Sequence, residues 1–263
     1  MTPTSPQPLA LDERQRAMLS VMGVRVWPSA EIALPELQAP EPAPAASATS
    51  AAPAAPARAI PTTGLDWGQL KTAVQSCTSC GLCQQRRQTV FGTGSPSDSP
   101  DTAPRVKWLI VGEAPGEQED AQGLPFVGPA GQLLDQMLKA VGLSRDSHDG
   151  GGVYIVNTLK CRPPANRNPQ PQELIQCAPW LQRQIELLQP AVILAMGRFA
   201  AQSLLKELPG IEHAPLGRLR GTVHTSHGRP VVVSYHPAYL LRSPADKAKA
   251  WEDLVLAKQI ANL

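Results

Sequence analysis

The chain has 263 residues and a net charge of only +2, which is enough length for one sizeable domain and too little charge to indicate a nucleic-acid-binding protein by itself. No apolar stretch approaches the roughly 20 residues of a membrane-spanning helix, and the amino terminus lacks the basic and apolar regions of a signal peptide. The sequence therefore predicts a cytoplasmic protein with no membrane partner, in which five cysteines are metal ligands or free thiols rather than disulfides.

The first 63 residues differ in composition from the rest of the chain. Eleven of the 28 prolines precede Leu65, and residues 43–59 are nearly all Ala, Pro, Ser and Thr. We predict an N-terminal segment over residues 1–27, a disordered linker over 28–63 and a folded domain over 64–263. Within the first segment, residues 12–26 form either a short helix that docks on the main domain or on an unidentified protein partner, or a weakly ordered tail.

The folded part alternates apolar strands with amphipathic helices. Four strands are predicted at residues 108–111, 153–159, 191–196 and 230–235, the last with a hairpin arm over 221–226 before it. Helices are predicted over residues 67–76, 131–141, 171–188, 199–205 and 247–262. This alternation is typical of a mostly parallel sheet that is covered by helices on both faces.

Polar residues follow three of these strands: Glu113, Asn157 and His236. In a parallel sheet they meet at the carboxyl edge, where open α/β sheets bind ligands. The stretch after the first strand, GEAPGEQEDAQGLPFVG, adds several acids and the ring of Phe126. We therefore expect the active site in this loop.

The cysteines are spaced as metal ligands. Cys77, Cys80 and Cys83 form two overlapping C-x-x-C steps, and Cys161 and Cys177 have 15 residues between them. Four thiolates suit an iron–sulfur cluster or zinc, but zinc sites usually combine two close pairs, and the second pair here is wide. Spacing favours the cluster, leaves zinc and free thiols open, and does not decide which of the first three cysteines is spare.

Four separated stretches resemble the family 4 uracil-DNA glycosylases, the iron–sulfur branch of the uracil-DNA glycosylase superfamily in bacteria and archaea. They are CTSC with VFGTG, then GEAPGEQEDAQGLPFVGPAGQLL, then NTLKCRPPANRNP with the downstream Cys177, and finally HPAYLLR. The resemblance covers about residues 65–263. It implies a three-layer α/β/α sandwich with a four-stranded, mostly parallel sheet, and a [4Fe-4S] cluster on Cys77, Cys80, Cys161 and Cys177.

The same resemblance implies a DNA repair enzyme. It would act as a monomer in the cytoplasm, at the nucleoid, on uracil in single- or double-stranded DNA, hydrolysing the N-glycosidic bond to leave an abasic site. A uracil glycosylase must first flip the base out of the stack. Phe126 is expected to stack on the base, and Asn157 to read it by accepting from N3–H and donating to O4. Gly112 and Glu113 would line the pocket.

Three further residues have expected roles in selectivity and chemistry. Glu119 would crowd the C5 position and exclude thymine, and His236 would donate to O2 of the departing uracil anion. Where family 1 enzymes place a water-positioning aspartate, this chain has Ala114. Asn166 is the expected water holder and Glu113 the second candidate; a positioned water suffices because the sugar becomes oxocarbenium-like.

Contacts with DNA are predicted at the same edge. Leu240 and Leu241 would form an apolar wedge that fills the gap left by the flipped base. Phosphates would be bound by four basic residues: Lys160, Arg162, Arg167 and Arg242.

Three alternative functions remain open on the sequence. The first is a glycosylase of the superfamily with broader specificity for deaminated bases. The second is a protein that traps uracil-DNA covalently; the related branch that does so carries a nucleophilic histidine in a basic loop after the second strand, whereas LKCRPPANRNP has none. The third is a cluster protein that binds DNA without releasing a base.

Overall fold

The structure, a computed structural model, describes residues 62–94, 106–146 and 152–262, which lie in one compact unit, Ala55–Leu263. The predicted N-terminal helix and nearly all of the predicted linker lie outside these residues, so the predicted domain boundaries stay predictions. In the described part of the chain, none of the helices combines the length and the apolar character needed to span a membrane.

A mixed sheet of six strands runs through the described residues. The strands are β1 Thr93–Gly94, β2 Trp108–Gly112, β3 Val153–Asn157, β4 Val192–Met196, β5 Val223–Ser226 and β6 Arg229–Ser234. Their order is β1-β3-β2-β4-β6-β5, and the four central strands are parallel to one another. Two antiparallel edge strands extend the four predicted strands: β5 lies where the hairpin arm was predicted, and β1 was not predicted.

Helices cover both faces of the sheet. The described helices are α1 Trp67–Gln75, α2 Glu117–Gln122, α3 Pro129–Ala140, α4 Pro171–Leu188, α5 Arg198–Leu204, α6 Leu216–Leu219, α7 Pro237–Arg242 and α8 Lys247–Ala261. One core cluster joins α1, α4 and α5 to residues such as Leu109 and Val156 on one face. The other joins α3 and α8 to Ile110 and Ile155 on the opposite face. Alternate strand residues thus point into two cores, as in a three-layer α/β/α arrangement.

Two short helices stand where the sequence predicted only loops. In α2 the side chain of Glu119 accepts a hydrogen bond from the backbone N–H of Gly116, at 3.1 Å, and Gly123 ends the helix with φ 71°. In α7, His236 is the N-cap and Pro237 takes the first position, where its missing N–H has no consequence. Each helix is only six residues long, which is too short to produce a recognisable apolar periodicity in the sequence. The signals that mark these helices are the residues at their ends.

A buried ion pair fixes α8 to the sheet. Arg220 pairs with Asp253 at 2.7 Å, and the Asp253 side chain is fully buried. The guanidinium also lies over the Tyr235 ring, 4.5 Å from its centroid. Because Tyr235 directly follows β6, this contact extends from α8 to the carboxyl edge of the sheet.

Candidate active site

A cavity of about 750 Å³ opens at the carboxyl edge of the sheet. Its lining includes residues at or just beyond the ends of all four parallel strands: Glu113 after β2, Asn157 on β3, Gly197 after β4 and His236 after β6. The structure thus brings together the three strand-end residues that the sequence singled out. Glu119 and Phe126, from the stretch after β2, line the same cavity, as does Asn166, which follows β3.

The inner end of the cavity depends on the absence of a side chain at Gly112. Gly112 pairs with Asn157 across the parallel β2–β3 register. A Cβ at this position would lie 2.7 Å from the Phe126 ring atom Cζ and closer still to Asn157 Oδ1. Any residue but glycine would therefore displace the ring or the amide.

The Asn157 amide lies ready for a ligand. Asn157 is 2 % exposed, lines the cavity, and within the described residues its side chain makes no hydrogen bond. Buried polar groups without a partner are unfavourable, so the amide is suited to a ligand that offers one donor and one acceptor.

Phe126 and His236 form an aromatic wall. Their ring centroids are 5.4 Å apart with an interplanar angle of 27°. Phe126 has φ 55°, a left-handed conformation that is uncommon outside glycine and that is often found at functional sites. The wall is thus assembled from two strand-end loops that are far apart in sequence.

His236 is a neutral hydrogen-bond donor in this position. Its Nδ1 accepts from the backbone N–H of Ala238 at 3.2 Å, so the proton of the neutral ring is on Nε2. Burial lowers the pKa of His236 to about 4; the charge of Arg242 acts in the same direction, and that of Glu119 opposes it. At neutral pH the residue therefore offers an N–H and no positive charge.

Glu119 braces the loop in addition to lining the cavity. One carboxylate oxygen accepts from Gly116 N–H, and the other accepts from Val127 and Gly128 N–H at 3.0 and 3.2 Å. The carboxylate therefore connects the start of α2 to the loop segment that carries Phe126. The nearby Asp120, 2 % exposed, accepts from Arg87 and Gln88 N–H and ties α2 to the segment after the first three cysteines.

Glu113 and Asn166, the two candidates for positioning the attacking water, differ in their electrostatic surroundings. Burial raises the pKa of Glu113, while the nearby Arg198 opposes this shift. The Oδ1 of Asn166 accepts from Arg162 Nε at 2.8 Å, which leaves its amide nitrogen as the group able to bind a water. Asn166 is held in a left-handed conformation with φ 54°.

The cavity lining also includes residues that the sequence analysis did not single out, among them Arg198, Tyr235 and Tyr239. Arg198 follows Gly197 directly after β4, so the rule that identified the other strand-end residues would have found it. Tyr235 and Tyr239 stack at 5.0 Å with an interplanar angle of 30°. This pair depends on the turn into α7, which no sequence pattern marked.

The predicted phosphate contact of Lys160 is wrong. Its side chain is 2 % exposed, and its Nζ donates to the Asn157 backbone carbonyl at 2.8 Å and to Gln184 Oε1 at 2.6 Å. Burial lowers the pKa of Lys160 to about 8, while nearby Cys177 and Cys161 oppose this shift. The ammonium points into the protein because the chain folds inward after β3, towards the cysteines.

The two residues that were predicted to form the wedge differ in their burial. Leu240 is fully buried and Leu241 is 45 % exposed. Successive residues of a helix point in directions about 100° apart, so only one of the pair can face outward. The prediction is wrong for Leu240, and Leu241 remains the candidate.

Of the three predicted arginines, Arg167 and Arg242 line the cavity, and Arg162 contacts the lining residue Asn166. Arg162 pairs with Glu117 at 3.3 Å, and Arg167 binds Glu173 through two hydrogen bonds of 2.9 and 2.6 Å. Arg242 is exposed and lines the cavity. Arg242 is therefore the most available of the three for an anionic ligand.

All five cysteines line a second, smaller cavity between the start of the domain and α4. Burial raises the pKa of Cys177 to about 12 and also raises that of Cys161. Cys161 Sγ accepts from Arg86 Nη1 at 3.2 Å, and Cys177 Sγ accepts from the backbone N–H of Lys160 at 3.3 Å. A purely sulfur donor set with N–H donors to the sulfurs fits an iron–sulfur cluster.

Comparison with known proteins agrees with this geometry. The model of the family described as the uracil DNA glycosylase superfamily matches residues 99–255. A type-4 uracil-DNA glycosylase of Archaeoglobus fulgidus is 41 % identical over 175 residues, covering 65 % of this chain and 81 % of the relative. Those of Sulfurisphaera tokodaii and Pyrobaculum aerophilum are 37 % and 38 % identical, covering 73 % of this chain and 84 % and 93 % of the relatives. The chain belongs to the uracil-DNA glycosylase superfamily.

Proposed function

We propose that the protein is a type-4 uracil-DNA glycosylase, which flips uracil out of DNA, hydrolyses its N-glycosidic bond and leaves an abasic site. The observation that carries the proposal is the meeting of a free amide, an aromatic ring and a neutral imidazole in one cavity: Asn157, Phe126 and His236. The names of the relatives support the same activity and the same branch of the superfamily.

Recognition of uracil rests on Asn157. Its Oδ1 accepts from uracil N3–H and its amide nitrogen donates to O4, whereas cytosine presents an acceptor at N3 and a donor at C4. Two lost hydrogen bonds and two buried groups left unpaired disfavour cytosine by about 1 to 3 kcal/mol per group. The bond of Lys160 to the Asn157 carbonyl holds the end of β3 in place for this reading.

Incubation with U:G, U:A and single-stranded uracil oligonucleotides, followed by alkaline cleavage, tests the activity. We expect strand breaks at uracil with the natural chain and at least about a hundredfold lower kcat/KM with Asn157→Ala, because two hydrogen bonds are lost. Asn262→Ala, at the exposed end of α8, is the matched control and should leave kcat/KM unchanged. Binding without strand breaks, or a covalent adduct on a denaturing gel, would contradict turnover; full activity of Asn157→Ala would contradict the pocket.

Departure of uracil rests on His236. Uracil leaves as an anion, and the N–H at Nε2 can stabilise the charge that develops on O2. A neutral donor suits this role because it needs no proton from solvent at neutral pH. The stacked Phe126 holds the imidazole plane beside the plane of the base.

The pH dependence tests the neutral imidazole. With a pKa of about 4, His236 stays neutral as the pH falls from 8 to 5, so its contribution to kcat should be constant there and change only near pH 4. His236→Asn should lower kcat by about a hundredfold or more, the usual cost of removing one such donor. His213→Gln, an exposed histidine, is the control. A kcat that rises as the pH falls through about 6.5 would show that the imidazolium acts instead.

Water is expected to be positioned by Asn166 rather than deprotonated by it. Its amide nitrogen can donate to a water but cannot accept a proton, and its Oδ1 is occupied by Arg162. An oxocarbenium-like sugar needs only a well-placed water. Glu113 is the second candidate because burial raises its pKa, which brings that pKa closer to the operating pH than the pKa of an ordinary glutamate.

In this proposal, Glu119 is the residue that discriminates uracil from thymine. Its carboxylate is held by three backbone amides, so it cannot easily move away from a larger base. A rigid acid beside C5 would exclude the methyl group of thymine.

The gap left in the duplex would be filled by Leu241. An exposed leucine on α7, adjacent to the cavity residue Arg242, can enter the base stack while the arginine contacts phosphate. Arg198, at the end of β4, adds a further positive charge at the same edge.

The two neighbouring leucines separate DNA contact from stability. Leu241→Ala should raise KM for duplex substrate severalfold and change the free energy of unfolding by no more than about 0.5 kcal/mol, because the residue is exposed. Leu240→Ala should instead lower the free energy of unfolding by about 2 to 5 kcal/mol, because it leaves a hole in the core. Urea titration and duplex kinetics measure both. Unchanged duplex kinetics in Leu241→Ala would rule out the wedge.

Four of the five cysteines would hold a [4Fe-4S] cluster, as the family resemblance implies: Cys77, Cys80, Cys161 and Cys177. These residues come from the turn after α1, the loop after β3 and helix α4. A cluster here would cross-link the three segments. Cys83 lines the same cavity and is the fifth thiol.

Iron content after single substitutions tests this ligand set. We expect Cys80→Ser to lose most of the iron and of the visible absorption, because it removes a ligand, and Cys83→Ser to keep both. The two substitutions are chemically identical and three residues apart, so each controls for the other. Loss of iron in Cys83→Ser with retention in Cys77→Ser would instead assign the cluster to the second C-x-x-C step.

A further inference from the structure

Lys160 is an enclosed cation with no acidic partner. Its Nζ contacts are the Asn157 carbonyl at 2.8 Å and Gln184 Oε1 at 2.6 Å, both of them neutral acceptors. Within the described residues no carboxylate forms an ion pair with it. Removal of a charge from water is strongly unfavourable unless an opposite charge compensates it, so the surroundings of Lys160 are electrostatically incomplete.

The missing negative charge belongs in the cysteine cavity. Lys160 lines that cavity, precedes Cys161 in the chain, and donates its backbone N–H to Cys177 Sγ at 3.3 Å. Arg86 lines the same cavity and donates to Cys161 Sγ at 3.2 Å, and its other contact is the neutral Gln75 carbonyl at 3.0 Å. Arg86, too, has no carboxylate partner among the described residues.

The two cations match the charge of the expected cofactor. Four thiolates bring four negative charges to a [4Fe-4S] core, and the oxidised cluster with its cysteines is a dianion. Lys160 and Arg86 together supply two positive charges. The cavity is thus neutral with the cluster bound and strongly positive when the thiols are protonated.

We propose that Lys160 and Arg86 are the counter-cations of the cluster, and that Lys160 is in addition a positioning residue that joins the cluster to the base-reading Asn157. This inference rests on the proposed function and its cofactor. The same ammonium group touches the Asn157 carbonyl, so the charge that holds Lys160 in place also holds the end of β3. Arg86 makes no contact with Asn157; its side chain donates to Cys161 Sγ and to the Gln75 carbonyl.

This difference between the two cations makes the proposal testable. Lys160→Met keeps most of the length and removes the charge and the contact with Asn157. Arg86→Met removes the charge together with the hydrogen bonds to Cys161 and Gln75, but it leaves the contacts of Asn157 in place. Lys107→Met, at an exposed position before β2, is the matched control. For each full-length protein, purified with its cluster, the measurements are iron per chain, the midpoint potential of the cluster, the rate of bleaching by a chelator, and kcat and KM on single-stranded uracil DNA.

Both Lys160→Met and Arg86→Met should lower the midpoint potential and speed bleaching by about threefold or more, because a nearby positive charge favours the more negative, reduced cluster. Only Lys160→Met should also lower kcat severalfold, with cluster-loaded protein compared in each case. Lys107→Met should change none of these quantities. An unchanged potential and bleaching rate in both variants would overturn the counter-cation role, and an unchanged kcat in Lys160→Met would overturn the positioning role.

Two further results keep the test decisive. If Lys160→Met does not fold, Arg86→Met decides the counter-charge, and Lys160→Gln, a smaller neutral side chain, decides the contact with Asn157. Iron-free natural protein would refute the cofactor, and natural protein that releases no uracil would refute the proposed function. These two results differ from a third one, in which the natural protein contains iron and releases uracil but substitution of Lys160 leaves the properties of the cluster unchanged. That third result would refute this inference alone.

Discussion

The site depends on one close contact, the packing of Gly112 against the Phe126 ring and the Asn157 amide. The contact exists because β2 and β3 are parallel and in register, which places Gly112 opposite Asn157. The Phe126 backbone is held by the close approach of Gly131, where a Cβ would collide with the Phe126 carbonyl, and by Arg145, which donates to that carbonyl at 3.3 Å. This part of the cavity is therefore shaped by close packing of the protein itself, and in the proposed function it would receive a planar base.

The acids of the loop after β2 act mainly as structural ligands for backbone amides. Glu119 binds three amides and Asp120 binds two, so these carboxylates fix the positions of α2, of the Phe126 tip and of the segment after the first cysteines. A loop rich in acids suggests acid–base catalysis when read alone. In the proposed function the chemistry passes instead to neutral groups, the amide of Asn157 and the imidazole of His236. Burial raises the pKa of Glu113, the second candidate for positioning the water.

The sequence predicts the parts of the fold that apolar runs specify: the four parallel strands, the longer helices and the edge where Glu113, Asn157 and His236 meet. It does not predict β1, which has two residues, or α2 and α7, which their caps define. The sequence-based predictions for Lys160 and Leu240 are wrong. Lys160 was expected at the surface because lysine usually lies there. Leu240 was expected to be exposed together with Leu241, because the sequence does not show which of two adjacent helical residues faces outward. Burial of a single side chain depends on tertiary packing, which a local pattern does not contain.

The cysteine cavity and the base pocket are adjacent along the chain and in space. Only three residues separate Asn157 from Cys161, and within them the Thr158 hydroxyl donates to the Glu113 carbonyl while Lys160 donates to the Asn157 carbonyl. The end of β3 is thus bound to the end of β2 on one side and to the cysteine cavity on the other. In the proposed function the Asn157 amide distinguishes uracil from cytosine by hydrogen-bond direction. It needs such fixed placement because a small displacement would weaken both bonds. In the same proposal, a cluster held by the nearby cysteines would therefore serve hydrolysis through rigidity alone.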